Sequence, residues 1–502
     1  MSTCLEQFRA HFHHDNQRPA LIDTLSAGKE PRTFSYAELG EQSARVASLL
    51  MHRGLRPGDR LAIMLPNSLD FVLLYLGCLH AGITAVPINP ELPAHEVAFL
   101  LQLSRASLLV SHRQDDAPDT TDIELWQLQA QGLQQQSAHL PAAPWQGSEE
   151  QIMGIFFTSG TTSRPKAVCH LTQRMLDNAS AFAQHMGWDE TLRLLHVLPM
   201  NYMAGFLNTL LVPFMAGGCV VLAARFDARS ALTFWQPVVS QRANAVWLSP
   251  TMLALLSRLQ RDPELARWTR ANPLDVCVGT APLPAAVRAR FEADFGLKTY
   301  QSYGMSEILL VAGQRPGQCC EPDSVGTPLP GIRIQLRGQQ NALWVDTPHA
   351  LAGYLDPARG ELVSPLVEGW MDTGDLAKMD SAGCLSITGR KKDLIIHGGH
   401  NVSPAAVEAC LLQLDAVEDA AVIGLPHPFH GEEVVALVIA GRDRPWPDLQ
   451  AELQAHCQHE LPPHARPTRF IPCHEFPRSV TGKIQKHLLR QRYLHTHAAL
   501  AP

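Results

Sequence analysis

The chain has 502 residues, of which 46% are hydrophobic and 18% charged, and a net charge of −7. That length predicts roughly three domains or lobes, and the composition is that of a globular protein with a large core. The acidic balance, with no lysine- or arginine-rich run, argues against nucleic acid or an anionic membrane as partner.

From residue 34 helix-like and strand-like segments alternate. Residues 36–54 carry apolar side chains at helical spacing and end on a glycine. RLAIML (60–65) reads as strand, 68–82 as helix, ITAVPIN (83–89) as strand, 94–104 as helix and 106–112 as strand. This rhythm predicts a parallel sheet covered by helices. Residues 115–150 are rich in Gln, Ala, Asp and Ser and read as a surface excursion, with one helix over 123–136. The longest apolar run, 206–224, is broken by Asn208, Pro213 and Gly217–Gly218. It reads as buried helix, turn and buried strand rather than a membrane span. The rhythm resumes at CVVLAA, AVWLSP, TMLALLSRLQ and LDVCVGT, and short strands with turn residues follow residue 320. After GRKKDLIIHGGHNVSP (389–404) come two strands and a helix over 449–461, which predicts a small C-terminal domain. The boundary falls near Asp393, giving domains 1–392 and 393–502.

Eleven cysteines are scattered, only Cys319 and Cys320 are adjacent, and no C-x-x-C occurs. This predicts no disulfide framework and a reducing cytoplasm. The N-terminal stretch has charges and histidines where a signal peptide needs an apolar core. His11, His13, His14, His397, His400, His427 and His430 form no H-E-x-x-H and join no cysteine pair, so they read as surface or loop histidines.

FFTSGTTSRPKAV (156–168) follows an apolar strand end. The hydroxyls of Thr158, Ser159, Thr161 and Thr162, with the backbone around Gly160, can ring an anion, and Lys166 adds a point charge. It is not a Walker A loop, and the chain has no G-x-G-x-x-G or G-x-S-x-G. By itself the stretch is equally an ordinary polar turn.

Four further segments accompany it: GTAPLP from Gly279, QSYGMSE over 301–307, GWMDTGDLAKMDSAGCLSITGRKKD over 369–393, and RSVTGKIQKHLLR from Arg478. In this order and spacing the five resemble the adenylate-forming enzyme superfamily, over residues 20–490 or so. That group includes acyl- and aryl-CoA synthetases, firefly luciferase and the adenylation domains of nonribosomal peptide synthetases. The resemblance implies an α/β fold with a large N-terminal domain of layered αβ sheets plus a small β-barrel-like part, and a small mobile α+β C-terminal domain. It implies a carboxylate attacking the α-phosphate of ATP, release of pyrophosphate, and transfer of the acyl group to the thiol of coenzyme A, with Mg²⁺ as cofactor.

The resemblance also implies roles. Thr158–Thr162 and Lys166 would hold the β- and γ-phosphates, and Glu307 would bind Mg²⁺. Tyr303 would stack on adenine, with Gly279, Thr280 and Ala281 on its other side and Gly304, Met305 and Ser306 in the same nucleotide stretch. Asp375 and Arg390 would take the ribose, and Lys483 would stabilise charge in the adenylating pose. Asp393 is the expected hinge, about which the Gly398–Gly399 loop would swing to the pantetheine channel. Singly, each has an ordinary reading: Glu307 a surface carboxylate, Tyr303 a core aromatic, Asp375 a turn former, Lys483 a solvated cation.

The chain also departs from the family pattern. Ser163 and Ala167 replace usual glycines, which implies a stiffer loop. Tyr202 stands where a gating histidine is common, and apolar Met203 where amino-acid-activating relatives carry aspartate, so an α-amino acid is disfavoured. Met203, Gly205, Phe206, Trp247, Ser249, Pro250 and Val311 would form a mostly apolar pocket for an acyl or modest hydrophobic acid. His400 replaces a common glutamate or large residue, which leaves the acceptor open between coenzyme A, a carrier-protein pantetheine and an amine. A non-catalytic nucleotide-binding scaffold is the minor alternative, and monomer versus homodimer is open.

Overall fold

The computed structural model describes residues 2–25, 30–112, 123–128, 132–158, 165–441, 444–478 and 484–498, side chains being described to 494 in the last segment. Among these, two large mixed sheets, a four-stranded antiparallel sheet and a five-stranded sheet form the framework. No helix among the described residues is long and apolar enough to cross a membrane.

The first large sheet is parallel through Arg60–Met64, Thr84–Pro87, Leu108–Ser111 and Glu124–Gln127. These strands are buried runs because helices cover them. Leu69–Ala81 is apolar almost all round, and from Phe71 onward every residue is buried. The sheet ends in the hairpin Ile152–Thr158/Lys166–Leu171, with Gly353–Leu355 added antiparallel. The second large sheet aligns Pro19–Asp23, Cys219–Leu222, Arg193–His196, Ala245–Leu248, Asp275–Val278 and Thr299–Met305 in parallel. Leu309–Gly313 then folds back antiparallel. The helix Thr172–Met186 touches strands of both sheets, so the core is continuous between them.

The small β part is an antiparallel sheet of Arg333–Arg337, Ala342–Asp346, Met371–Met379 and Leu385–Arg390. A single 3₁₀ turn, Lys391–Asp393, leads from it into the C-terminal sheet of Ile395–His397, His400–Val402, Val417–His427, Gly431–Ala440 and Arg469–Pro472. That sheet has its own core, packed under Pro404–Leu411 and Trp446–Glu460.

Two expectations need correction. Residues 123–136 are not one helix: Glu124–Gln127 is a strand, and only Gly132–Ser137 is helical. The buried Trp126, 1% exposed, holds that segment on the sheet edge against its polar neighbours' preference for solvent. The cysteines are also not all free, because Cys320 and Cys384 form a disulfide. They are 64 residues apart and share no spacing signal. The pairing of Val325 N with Leu385 O, and of Leu385 N with Gly326 O, brings their segments together.

Candidate active site

Tyr303 lies on Thr299–Met305, a strand that bulges immediately after it. Gly304 is required there, since a Cβ would stand 2.2 Å from the Leu309 carbonyl oxygen. The tight return through Leu309, at φ +58°, places Glu307 beside Tyr303's strand. Asp375 and Arg390 face each other in register on adjacent strands of the small sheet. The three side chains meet. Tyr303 Oη donates to Asp375 Oδ2 at 2.6 Å, and Arg390 Nε donates to Oδ1 at 2.8 Å.

Asp375 is only 3% exposed, so it is a buried charge held by two donors. Burial, reinforced by Asp375, pushes the Tyr303 phenol far up, which keeps it a donor. Burial works against the Arg390 charge, but Asp375, Tyr303 and Asp393 raise it above the ordinary guanidinium value. Nearby, Gly279 leaves the strand Asp275–Val278 with no room for a Cβ, which would meet Ser302 Oγ at 2.9 Å and Trp247 Nε1 at 3.1 Å. Thr280 then sits at φ +72°, a conformation costly for a β-branched residue, and its buried Oγ1 has no partner among the described residues. Ala281 beside it is half-buried. The strain and the orphaned hydroxyl mark this turn as shaped for a ligand, and the donor set fits a nucleoside.

Thr158 and Lys166 face each other at the open end of the hairpin. Ser159, Gly160, Thr161, Thr162 and Ser163 lie outside the described residues, as does Lys483. Ala167 is buried in regular strand, so at this position a methyl is accommodated and glycine is not needed. Glu307, 8% exposed, accepts at Oε1 the hydroxyl of Tyr354, 2.9 Å away. Its Oε2 has no hydrogen-bond partner among the described residues. A carboxylate with one oxygen fixed and one open is a fitting ligand for a hard divalent cation. Met305 and Ser306 precede it, and the Ser306 carbonyl accepts from His170 Nε2 at 2.6 Å. Burial lowers the His170 pKa to about 4, so the ring is neutral.

Tyr202 caps the short helix Met203–Phe206. Burial raises its phenol pKa, the Arg390 charge lowers it and the Glu307 charge raises it. Gly205 is required by the Pro199 carbonyl oxygen, 1.9 Å from where a Cβ would be. The helix continues as a π-helical stretch, Leu207–Leu211, a geometry common at functional sites. Met203, Phe206, Trp247 and Val311 are all buried. Phe206 stacks on Tyr75 at 4.0 Å, and Trp247 packs against Phe182 at 5.0 Å. Ser249 spends its hydroxyl capping the helix Pro250–Leu259, where Pro250 is the first residue.

Sequence reasoning missed Tyr354, His170 and Asn67. Asn67 braces the approach to Tyr202, donating to Leu198 O at 2.8 Å and accepting from Met200 N at 2.9 Å. None of the three lies in a motif; each reaches the site through strand pairing or loop packing that a single sequence does not display.

The sequence profile of the AMP-binding enzyme family matches residues 8–355, and that of the AMP-binding enzyme C-terminal domain matches residues 406–483. A long-chain-fatty-acid–CoA ligase, FadD13, of Mycobacterium tuberculosis is 30% identical over 506 residues, spanning 95% of this chain and 97% of that protein. The 2-succinylbenzoate–CoA ligase of Bacillus subtilis is 29% identical over 472 residues, covering 92% and 93%. Among solved structures, ATP-bound MatB from Rhodopseudomonas palustris superposes with a TM-score of 0.86 at 26% identity, covering 98% of this chain and 99% of that one.

Proposed function

The chain belongs to the AMP-binding enzyme family and is an AMP-forming acid–CoA ligase using ATP, Mg²⁺ and coenzyme A, and from that premise we propose how its own residues divide the work. The observation that carries the assignment is the convergence of Tyr303 and Arg390 on the one buried carboxylate of Asp375, with Glu307 on the same hairpin as Tyr303.

Asp375, fixed by two donors, presents its remaining lone pairs to the ribose hydroxyls, and Arg390 supports it. Gly279, Thr280 and Ala281 line one face of the base, and the Tyr303 ring, with Gly304, Met305 and Ser306, the other. Thr158 to Thr162 and Lys166 clamp the terminal phosphates. Glu307 holds the cation through its open oxygen. Mg²⁺, when bound, neutralises phosphate charge as pyrophosphate leaves. Tyr202 and Met203 guard the entry of the carboxylate, and Trp247 closes the apolar end of the pocket, which favours an acid of modest size. Lys483 balances the charge that develops as the carboxylate attacks the α-phosphate.

Asp393 is the hinge between domains 1–392 and 393–502. The Ser403 hydroxyl donates to Thr388 O at 2.8 Å across it, and a swing of the smaller domain breaks that bond. The swing withdraws Lys483 and carries Gly398, Gly399 and His400 toward the thiol. Coenzyme A is the acceptor; a carrier-protein pantetheine remains a second candidate at the same channel. Nine of the eleven cysteines are free, which favours the cytoplasm as the enzyme's compartment.

Separate assay of the half-reactions tests the division. Lys483→Ala should slow adenylate formation by about 10³-fold or more, while thioester formation from supplied acyl-adenylate stays near wild type. Equal loss in both steps would remove Lys483 from its role.

A further inference from the structure

The strand Lys166–Leu171 and its partner Gly353–Leu355 hold the Ser306–Glu307 stretch, the first through Ser306 and the second through Glu307. Their register sets Gly353 opposite Cys169 and Tyr354 opposite Val168. Lys166, Val168 and His170 alternate onto one face of the strand. At one end of that face His170 Nε2 donates to the Ser306 carbonyl and fixes the backbone just before Glu307. Toward the other end the Tyr354 hydroxyl reaches Glu307 Oε1, while Lys166 Nζ lies 4.6 Å from the centre of the Tyr354 ring. Lys166 makes no ion pair with Glu307 among the described residues, although Tyr354 touches both.

An ammonium and a carboxylate left free at such a site attract each other strongly, and a direct pair would spend both charges. The phosphates need the cation and the metal needs the anion. We propose that Tyr354 is a positioning residue for the metal site. Its hydroxyl fixes which oxygen of Glu307 is presented to the divalent cation, and its ring parks Lys166 by a cation–π contact instead of an ion pair. Tyr354 thereby keeps two opposite charges apart and available until the metal–nucleotide complex enters. The proposal rests on the reading of Glu307 as metal ligand.

The test needs no acid substrate. Mn²⁺ is titrated into the full-length protein with ATP present, and bound metal is followed by electron paramagnetic resonance. Tyr354→Phe should weaken Mn²⁺ binding in the ternary complex about tenfold, with ATP affinity in the absence of metal and the unfolding midpoint both close to wild type. Incorporation of p-aminophenylalanine at 354, which keeps a donor, should restore binding. p-Methylphenylalanine, which fills the same volume without one, should reproduce the loss and stands in should Tyr354→Phe misfold. Wild-type metal affinity in both donor-free variants would overturn the proposal, as would a loss that tracks only a fallen unfolding midpoint. Absence of metal-dependent ATP binding in the wild-type protein would instead overturn the assignment of Glu307.

Discussion

The proposed nucleotide corner and the proposed acid end of this site are built on opposite principles. In the corner, Asp375, Tyr303 and Arg390 are locked by short charge-assisted hydrogen bonds, the one from Tyr303 spanning 72 residues of sequence. At the acid end, Met203, Phe206, Trp247 and Val311 are held by apolar packing, over a π-helical stretch and a glycine that only its contact with Pro199 explains. Hydrogen bonds fix one geometry, while packing tolerates exchange of volume. On the proposed assignment, the corner serves a cosubstrate that never changes, and the acid end is where one ligase can differ from another.

Substitutions at the two ends should separate cleanly. Asp375→Ala leaves Arg390 and the Tyr303 hydroxyl without their partner. It should cost about 3 kcal/mol of stability and lower kcat/KM for ATP about 10³-fold, with the ranking of acids unchanged. Calorimetric unfolding and steady-state kinetics read the two effects, and a reordered acid preference would blur the division. Trp247→Leu should do the reverse. It opens volume at a cost of about 2–3 kcal/mol and shifts preference toward longer acids about tenfold, leaving the ATP KM near wild type. A change in ATP KM without a change in acid preference would move Trp247 out of the pocket.

The smallest effect concerns pH. His196 lies under the acid end, with Nδ1 2.8 Å from Thr209 Oγ1, and burial lowers its pKa from 6.5 to about 4. Its folded pKa is depressed, so the unfolded chain takes the proton first. The stability this histidine contributes is present above pH 6.5 and is lost as pH falls toward about 4, by up to about 3 kcal/mol. Denaturant unfolding at several pH values should show this slope, and His196→Leu should reduce it to the part that His170 supplies.

Much of the corner was legible in the sequence because chemistry dictates residue type and spacing. Tyr303, Glu307, Asp375 and Arg390 lie in motifs, and the structure brings them to one place. The alternation of helices and strands was legible for the same reason, since burial on both faces writes apolar runs. Tyr354 and His170 were not, because their importance comes from the addition of Gly353–Leu355 to a hairpin nearly 200 residues earlier. The misread helix over 123–136 failed where one buried tryptophan outweighed its polar neighbours. The Cys320–Cys384 bond failed where a tertiary strand contact, not spacing, makes the pair.

The most direct measurement is pyrophosphate release from ATP and Mg²⁺ across a panel of carboxylic acids, with and without coenzyme A. Release with acids of modest apolar size, and AMP and an acyl-CoA thioester appearing when coenzyme A is added, is the result expected. Silence across the panel from a folded, ATP-binding protein would contradict it and leave a nucleotide-binding scaffold.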